Sequence, residues 1–179
     1  MPALFVDISG LPGSGKTTLA RRLAAALNLP LIDKDDILER LFDLKGTGDS
    51  AWRRALSRES DEIFQQQAMA SGGCVLVSFW HQPGMPEDSG TPTAWLGATA
   101  GRLINVHCVC SPEVAAERFL ARQRHPGHLD SANSYEAALA GLRSLACLAL
   151  PDLGRRIDID TTRETGLLAL IEEILPLET

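Results

Sequence analysis

The chain has 179 residues, of which 45% are hydrophobic and 22% charged, and its formal net charge is −6. This length and composition fit a folded chain with a substantial core and exclude wholesale disorder. The acidic balance argues against a dedicated binder of long DNA or RNA, which needs a basic surface, although it permits a local basic pocket. We therefore expect residues 1–179 to form a single domain.

The cysteine pattern, the lack of a long apolar run and the N-terminal sequence all bear on the cellular compartment of the protein. Cysteines occur at Cys74, Cys108, Cys110 and Cys147, with no C-x-x-C pair among them. They are expected to be small buried side chains in a reducing compartment. No apolar run is long enough to span a membrane, and the N-terminus lacks the pattern of a signal peptide. The sequence thus favours a cytoplasmic protein with no membrane partner.

Along the first half of the chain, short apolar runs alternate with segments whose apolar residues recur at helical spacing. The predicted strands cover residues 4–9, 29–33 and 74–79. The predicted helices are one that carries Leu19, Leu23 and Leu27, one over 35–44, and a long one over 51–70 that Ser50 caps. A loop rich in proline and glycine is predicted over 81–93.

The same alternation continues in the second half. Strands are predicted over 103–109 and 157–160. Helices are predicted over 93–100, from a cap at Ser111 to about 124, over 135–150, and from Thr161 or Thr162 to about 175. Strands that alternate with helices predict an α/β fold with a parallel sheet covered on both faces.

A phosphate-binding motif follows the first predicted strand. It matches G-x-x-x-x-G-K-[ST] through Gly10, Leu11, Pro12, Gly13, Ser14, Gly15, Lys16 and Thr17. The glycines permit a loop whose N–H groups converge on phosphate oxygens at a helix N-terminus. Lys16 is predicted to reach the β- and γ-phosphates, and the Thr17 hydroxyl to bind Mg²⁺. The motif therefore predicts ATP or GTP binding.

Carboxylates follow the second predicted strand at Asp33, Asp35 and Asp36. Parallel sheets bind ligands beyond the carboxyl ends of their strands, where the phosphate loop also lies. Asp35 is therefore predicted to accept the proton of an acceptor hydroxyl, and Asp33 to hold a magnesium-bound water. The alternative is that Asp35 or Asp36 only caps the helix and that Asp33 is exposed.

The end of the third strand departs from a common P-loop pattern. Many such proteins carry an acidic residue there that holds magnesium through water, whereas this strand offers only Ser78. Either Asp33 or Asp35 is expected to take over this role, or metal binding is weaker than usual.

Two further groups of residues are candidates for binding the acceptor. Arg54 shares a helix face with Arg58, and it is predicted either to bind an anionic or polar acceptor or to lie on a solvated basic face. Trp80 and His81 follow the third strand, where they suit an acceptor with a ring or an apolar part. The alternative for this pair is a hydrophobic plug beside a surface histidine.

Arginines precede a predicted excursion from the sheet. Arg118 and Arg122 are one helical turn apart, and Arg124 directly precedes the sequence His-Pro-Gly-His at 125–128. Arginine presents a planar fork of positive charge to the oxygens of a moving phosphoryl group. Residues 124–133 are therefore predicted to form a lid, with Arg118 and Arg122 closing over the γ-phosphate. The alternative is a helix C-terminus that carries favourable cations.

The segment from Ile8 to Thr18, the Lys34-Asp35 pair and the lid arginines resemble small P-loop kinases often labelled AAA-family ATPases. This family includes chloramphenicol phosphotransferase, gluconate kinase, shikimate kinase, zeta toxins and polynucleotide 5′-kinases. The resemblance implies a three-layer P-loop NTPase fold with a five-stranded parallel sheet in the order 2-3-1-4-5, helices on both faces and a short lid. It also implies that Thr18 belongs to the nucleotide loop, that Asp35 lies by the acceptor hydroxyl, and that residues 160–163 lie near adenine.

The spacing of Asp33, Asp35 and Glu39 is similar to the shikimate kinase pattern, but residues 79–83 replace the glycine-rich shikimate-binding loop of that family. The sequence thus predicts an ATP-dependent, Mg²⁺-requiring kinase of a small hydroxylated molecule. A kinase of nucleotides or RNA 5′ ends and an ATP-hydrolysing switch without a soluble acceptor are the alternatives. The acceptor and the choice between ATP and GTP stay open, and either a monomer or a homodimer is expected.

Overall fold

The computed structural model describes residues 3–99, 101–129, 134–163 and 166–175. These residues form strands β1 (Ala3–Gly10), β2 (Leu31–Asp33), β3 (Cys74–Val77), β4 (Gly101–Val109) and β5 (Arg155–Asp160). The α-helices are α1 (Lys16–Leu27), α2 (Lys34–Lys45), α3 (Ser50–Ala70), α4 (Pro112–Ala121), α5 (Tyr135–Ala146) and α6 (Leu167–Ile174). Short 3₁₀ turns lie at Leu96–Ala98 and Pro126–His128. No helix within these ranges is both long and apolar enough to cross a lipid bilayer.

The strands form one parallel sheet in the order β2-β3-β1-β4-β5, which confirms the predicted order. Asp33 at the end of β2 pairs with Val77, and Val77 pairs with Ile8 shortly before the phosphate loop. The functional ends of β1 and β2 therefore lie at one edge of the sheet, separated only by β3.

Apolar side chains cover the sheet on both faces. Residues that alternate along β1, such as Val6 and Ile8, pack against α1 and α6 on one face. On the other face, Phe5 and the β3 residue Leu76 pack against Phe64 of α3. This alternation explains why the strands of a doubly covered sheet read as nearly continuous apolar runs.

A polar cluster interrupts the second face. Asp7 is fully buried, and its Oδ2 accepts a 2.6 Å hydrogen bond from the Asn105 side-chain amide on β4. Asn105 also donates to Ser9 Oγ (2.9 Å), which in turn contacts His107 Nδ1 (2.8 Å). Burial raises the pKa of Asp7 well above its usual value, although the bond from Asn105 acts in the opposite direction.

Several boundaries differ from the sequence predictions because local backbone geometry decides them. α4 ends at Ala121 rather than near 124, since Arg122 is extended. α3 begins at Ser50, and Asp49 instead of Ser50 is its cap, with the side chain accepting from Trp52 N. The predicted helix over 93–100 is only the turn at Leu96–Ala98, and residue 100 lies outside the described residues. β3 ends at Val77 instead of residue 79, and α5 ends at Ala146 instead of residue 150. α6 begins only at Leu167, whereas its predicted start was residue 161 or 162.

The cysteines follow their prediction in part. All four are free thiols, of which Cys74 and Cys108 are buried and Cys110 is half-buried. The expectation of burial is wrong for Cys147, the exposed C-cap residue of α5, because it lies five positions after the buried residue Leu142 and therefore on a different face of the helix.

Candidate active site

The phosphate loop connects β1 to α1, as its motif predicts. Lys16 Nζ donates hydrogen bonds of 2.9 Å to the carbonyl oxygens of Gly10 and Leu11. Burial lowers the pKa of Lys16 to about 8, although Cys108 and nearby aspartates act in the opposite direction. The amine is therefore held inside the loop on weak neutral acceptors that phosphate oxygens can replace.

The loop is wedged against α4 at Gly13. This residue has a φ of +85°, and a Cβ atom here would collide with the carbonyl oxygen of Ala115. Glycine is required at this position for both its backbone angle and this close approach. The contact fixes the loop between α1 and the helix that leads to the lid.

Asp33 joins the phosphate loop to the second strand. Its Oδ2 accepts a 3.0 Å hydrogen bond from Thr17 Oγ1, and its Oδ1 accepts one of 3.0 Å from Asp35 N. Asp33 is thus the N-cap of α2, so the alternative that Asp35 or Asp36 caps this helix is wrong. Burial and the charge of Asp35 raise the pKa of Asp33 to about 6. A hydroxyl and a carboxylate oxygen side by side are hard donors of the kind that Mg²⁺ prefers.

Asp35 stands at the first turn of α2 with half of its side chain exposed, and it forms an ion pair with Arg124. Desolvation acts to raise the pKa of Asp35, but nearby cations outweigh it and hold the pKa below its usual range. The groups that lower this pKa, in decreasing order of effect, are Arg124, His128 in its protonated form, Arg122 and Lys16. Asp35 is therefore an ionised, solvent-accessible carboxylate surrounded by positive charge from the phosphate loop and the lid.

The arginines around α4 occupy two different places. The Arg118 side chain donates a 3.0 Å hydrogen bond to the carbonyl of Thr161, away from Asp35. Both residues line a cavity of about 240 Å³ together with Gly15, Thr18, Leu19, Arg22 and Arg163. In this structure α4 directs the Arg118 side chain to the loop after β5, and the closing of Arg118 over the γ-phosphate stays a prediction. Thr18 and the predicted adenine loop share this cavity.

The lid side is formed by Arg122 and Arg124, which follow the end of α4. Arg122 stacks over the Phe119 ring, and its charge acts on Lys16 and Asp35. Sequence reasoning named Arg124 among the arginines before the lid but did not assign it to the site, because it assumed that the helix continued to this residue. The available signal was its position directly before the His-Pro-Gly-His turn. Residues 130–133 of the predicted lid lie outside the described residues.

The Arg54 side chain, a predicted acceptor contact, is exposed on α3, which fits the alternative of a solvated basic face. Its neighbour Arg53 faces inward, and its charge acts on Lys34 at the start of α2. Lys34 is itself buried in an ion pair with Asp61 (2.6 Å). Arg53 Nε is buried and has no hydrogen-bond partner among the described residues. A helix places adjacent residues about 100° apart, and the sequence did not show which of the two faced the site.

Trp80 and His81 are structural residues here. The Trp80 side chain is 2% exposed, donates a 3.1 Å hydrogen bond to the carbonyl of Ile8, and packs edge-on against Phe64. His81 holds the following loop through its ring Nδ1 and the carbonyl of Ser89 (2.7 Å). The prediction that both contact the acceptor is not supported, because Trp80 belongs to the core and His81 is used within its own loop.

Comparisons with known proteins show which family and fold the chain shares. A family model described as an AAA domain matches residues 6–145. The shikimate kinase of Paracidovorax citrulli is 34% identical over 86 residues, which are 42% of this chain and 47% of that relative. A crystal structure of a candidate kinase from Chloroflexus aurantiacus matches with a TM-score of 0.79 at 27% identity, covering all of both chains.

The crystal structure of shikimate kinase from Bacteroides thetaiotaomicron matches with a TM-score of 0.63 and covers 97% of this chain and 99% of that one. At 21% identity, this likeness shows the fold alone. The chain spans less than half the length of the Paracidovorax relative that it matches.

Proposed function

Because the chain belongs to the AAA-domain family, among its small P-loop kinases, we propose that it transfers the γ-phosphoryl group of ATP to a hydroxyl group of a small molecule, with Mg²⁺. One observation carries this proposal: the Lys16 amine, the Thr17–Asp33 hydrogen bond and the Asp35 carboxylate meet at one edge of the sheet. A phosphate cradle, hard oxygen ligands and a proton acceptor thus stand side by side.

On the donor side, the loop N–H groups and Lys16 would bind the β- and γ-phosphates, with Lys16 exchanging two backbone carbonyls for phosphate oxygens. The cavity beside Arg118 and Thr161 would hold the nucleoside end. Thr17 and Asp33 would hold Mg²⁺, which when bound neutralises charge on the phosphate oxygens.

On the acceptor side, Asp35 would accept a hydrogen bond from the attacking hydroxyl and take its proton as the new phosphate ester forms and ADP leaves. Arg124 keeps this carboxylate ionised, and its other N–H groups are suited to the oxygens of the transferred group. Arg122 would add positive charge on the same side.

The inward position of Arg53 supports an acceptor that also carries an anionic group, such as a hydroxy acid. Lys34 is neutralised by Asp61, whereas Arg53 Nε is a buried donor that no group in the described part of the chain satisfies. A buried unsatisfied donor is unfavourable by about 1–3 kcal/mol, and a carboxylate would relieve this penalty. We therefore place Arg53, rather than Arg54, on the acceptor side.

The test is ADP formation from Mg·ATP against hydroxy acids such as shikimate and gluconate, neutral sugars, antibiotics, nucleosides and 5′-hydroxyl oligonucleotides. Lys16→Ala and Asp35→Asn are assayed beside the parent, with Asp36→Asn as the matched control on the same helical turn. We expect one compound class to raise turnover far above background. Both site variants should abolish this gain, and Asp35→Asn should still bind ATP.

Stimulation by nucleosides or 5′-hydroxyl oligonucleotides alone would replace the proposal with a nucleotide or RNA 5′-end kinase. Slow ATP hydrolysis that no hydroxyl compound changes would indicate a switch. If Asp35→Asn turns over as fast as the parent, Asp35 is not the proton acceptor.

A further inference from the structure

The outer face of α2 carries a row of acidic residues that meets the lid. Asp35, Glu39 and Asp43 are four residues apart and therefore share one helix face. Each contacts the segment after α4: Asp35 pairs with Arg124, Glu39 Oε1 lies 2.9 Å from His128 Nε2, and Asp43 Oδ1 lies 3.3 Å from His125 Nε2.

Phe42 lies at the centre of this contact. Its ring stacks on His125 with centroids 5.2 Å apart, and it meets His128 edge-on at 5.6 Å. The side chain is 2% exposed, with the core residues Leu38 and Leu41 on one side and the lid turn on the other. An aromatic ring between two imidazoles gives the turn a defined orientation as well as apolar contact.

The turn fits the ring only because residue 127 is glycine. A Cβ atom at Gly127 would lie 2.5 Å from the Phe42 ring, although the φ of Gly127 is outside the left-handed region. Glycine is therefore needed for close approach and not for backbone conformation. The turn is further shaped by a 3.1 Å hydrogen bond from Gly127 N to His125 Nδ1.

We propose that the lid turn, residues 125–128, docks on the Phe42 ring, and that this docking positions Arg124 against Asp35 for phosphoryl transfer. The second half of this statement rests on the function proposed above. Because Arg124 directly precedes the docked turn, the position of the turn fixes the backbone from which the Arg124 side chain extends. The Arg124 side chain is 15% exposed in its pair with Asp35. Phe42 is thus a positioning residue that acts through Arg124 and touches no substrate.

The sharpest variant is Gly127→Ala, because its methyl group pushes the turn away from Phe42 without altering the contacts of Phe42 with the core. Gly141→Ala is the matched control, since a Cβ at Gly141 on α5 would have no described atom within 4 Å apart from its chain neighbours and its own helix backbone. Docking is measured in the whole protein by limited trypsin digestion, with cleavage after Arg124 followed by mass spectrometry. We expect Gly127→Ala to speed this cleavage several-fold and Gly141→Ala to leave it at the parent rate.

Positioning is measured by kinetics with the acceptor that supports turnover. Gly127→Ala should lower kcat by roughly tenfold to a hundredfold, the range for misplacing a catalytic group by about 1 Å. The KM for Mg·ATP should not change, because the nucleoside cavity is untouched. The double variant with Arg124→Gln should be no slower than Arg124→Gln alone, since both changes remove one interaction.

Parent-like cleavage in Gly127→Ala would overturn the proposal that the lid turn docks on Phe42. Additive losses of kcat in the double variant would overturn the proposal that Phe42 acts through Arg124. A higher kcat in Gly127→Ala would mean that the docked lid blocks the site, which also contradicts the proposal. If no acceptor supports turnover, the proposed function and the positioning role fail together. The cleavage rates still decide whether the lid turn docks on Phe42.

Discussion

Thr17 Oγ1 donates a 3.0 Å hydrogen bond to Asp33 Oδ2, which joins the hydroxyl after the phosphate-loop lysine to the carboxylate that ends β2. The other oxygen of Asp33 caps α2 through Asp35 N. One carboxylate thus connects the donor side of the site to the helix that carries the acceptor-side acid. Its two tasks can be separated, because an amide keeps the cap but loses the charge.

Asp33→Asn is expected to weaken Mg²⁺ binding in the nucleotide complex by about 10- to 100-fold, the range for groups that hold a metal through water. The measurement is a Mg²⁺ titration of ATP turnover, with folding checked by thermal denaturation. Asp36→Asn, on the same helical turn, should keep the parent midpoint. An unchanged Mg²⁺ midpoint in Asp33→Asn would remove Asp33 from the metal site.

Arg53→Ala is expected to raise the KM for an anionic acceptor by roughly 10-fold or more. The substitution removes a charged hydrogen-bond donor, and a hydrogen bond of this kind contributes about 1.5–3 kcal/mol. The KM for ATP should stay constant. Arg54→Ala is the control, since Arg54 is exposed about 100° further around the same helix. Equal effects of the two substitutions would show that helix charge, and not an inward contact, sets acceptor affinity.

Asp7→Asn is expected to stabilise the protein at neutral and higher pH. The pKa of Asp7 is raised in the folded protein by burial. The parent therefore loses stability as pH rises from the ordinary aspartate pKa through the folded-state pKa, because the unfolded chain releases the proton more readily. The asparagine oxygen can still accept the hydrogen bond from Asn105.

The gain should be largest near pH 8 and nearly absent near pH 4, with about 2–4 °C in Tm for each kcal/mol in a chain of this size. Thermal denaturation across this pH range is the measurement. Asp158→Asn, an exposed change on β5, provides the control. A gain that is independent of pH would mean that Asp7 is ionised when buried.

Trp80→Phe is expected to destabilise the protein by about 1–3 kcal/mol, because it removes the buried hydrogen bond to Ile8 and part of the core contact with Phe64. Urea denaturation measures this loss. Trp95→Phe is the comparison, since its hydrogen bond to Pro92 is exposed and should matter less. If Trp80→Phe were as stable as the parent but bound the acceptor poorly, Trp80 would return to the site.

The sequence predicted what depends on local pattern. The phosphate loop, the strand ends at Gly10 and Asp33, and the parallel sheet follow from motif spacing and apolar periodicity, and the family resemblance supplied the strand order. Which of two neighbours faces inward is not a local property. Arg53 and Arg54 have the same chemistry, and only the packing of α3 against α2 distinguishes them.

By itself, the sequence determined a phosphate-loop motif and the carboxylates Asp33 and Asp35 after the second strand, because each of these features is coded within a few residues of chain. Only the tertiary structure sent Arg118 to the loop after β5, placed Arg124 on Asp35 and buried Trp80 in the core. Those outcomes depend on where α4 ends and on contacts between residues 43, 72 and 89 positions apart. Such contacts form only when separate elements pack together, so no pattern within one element records them.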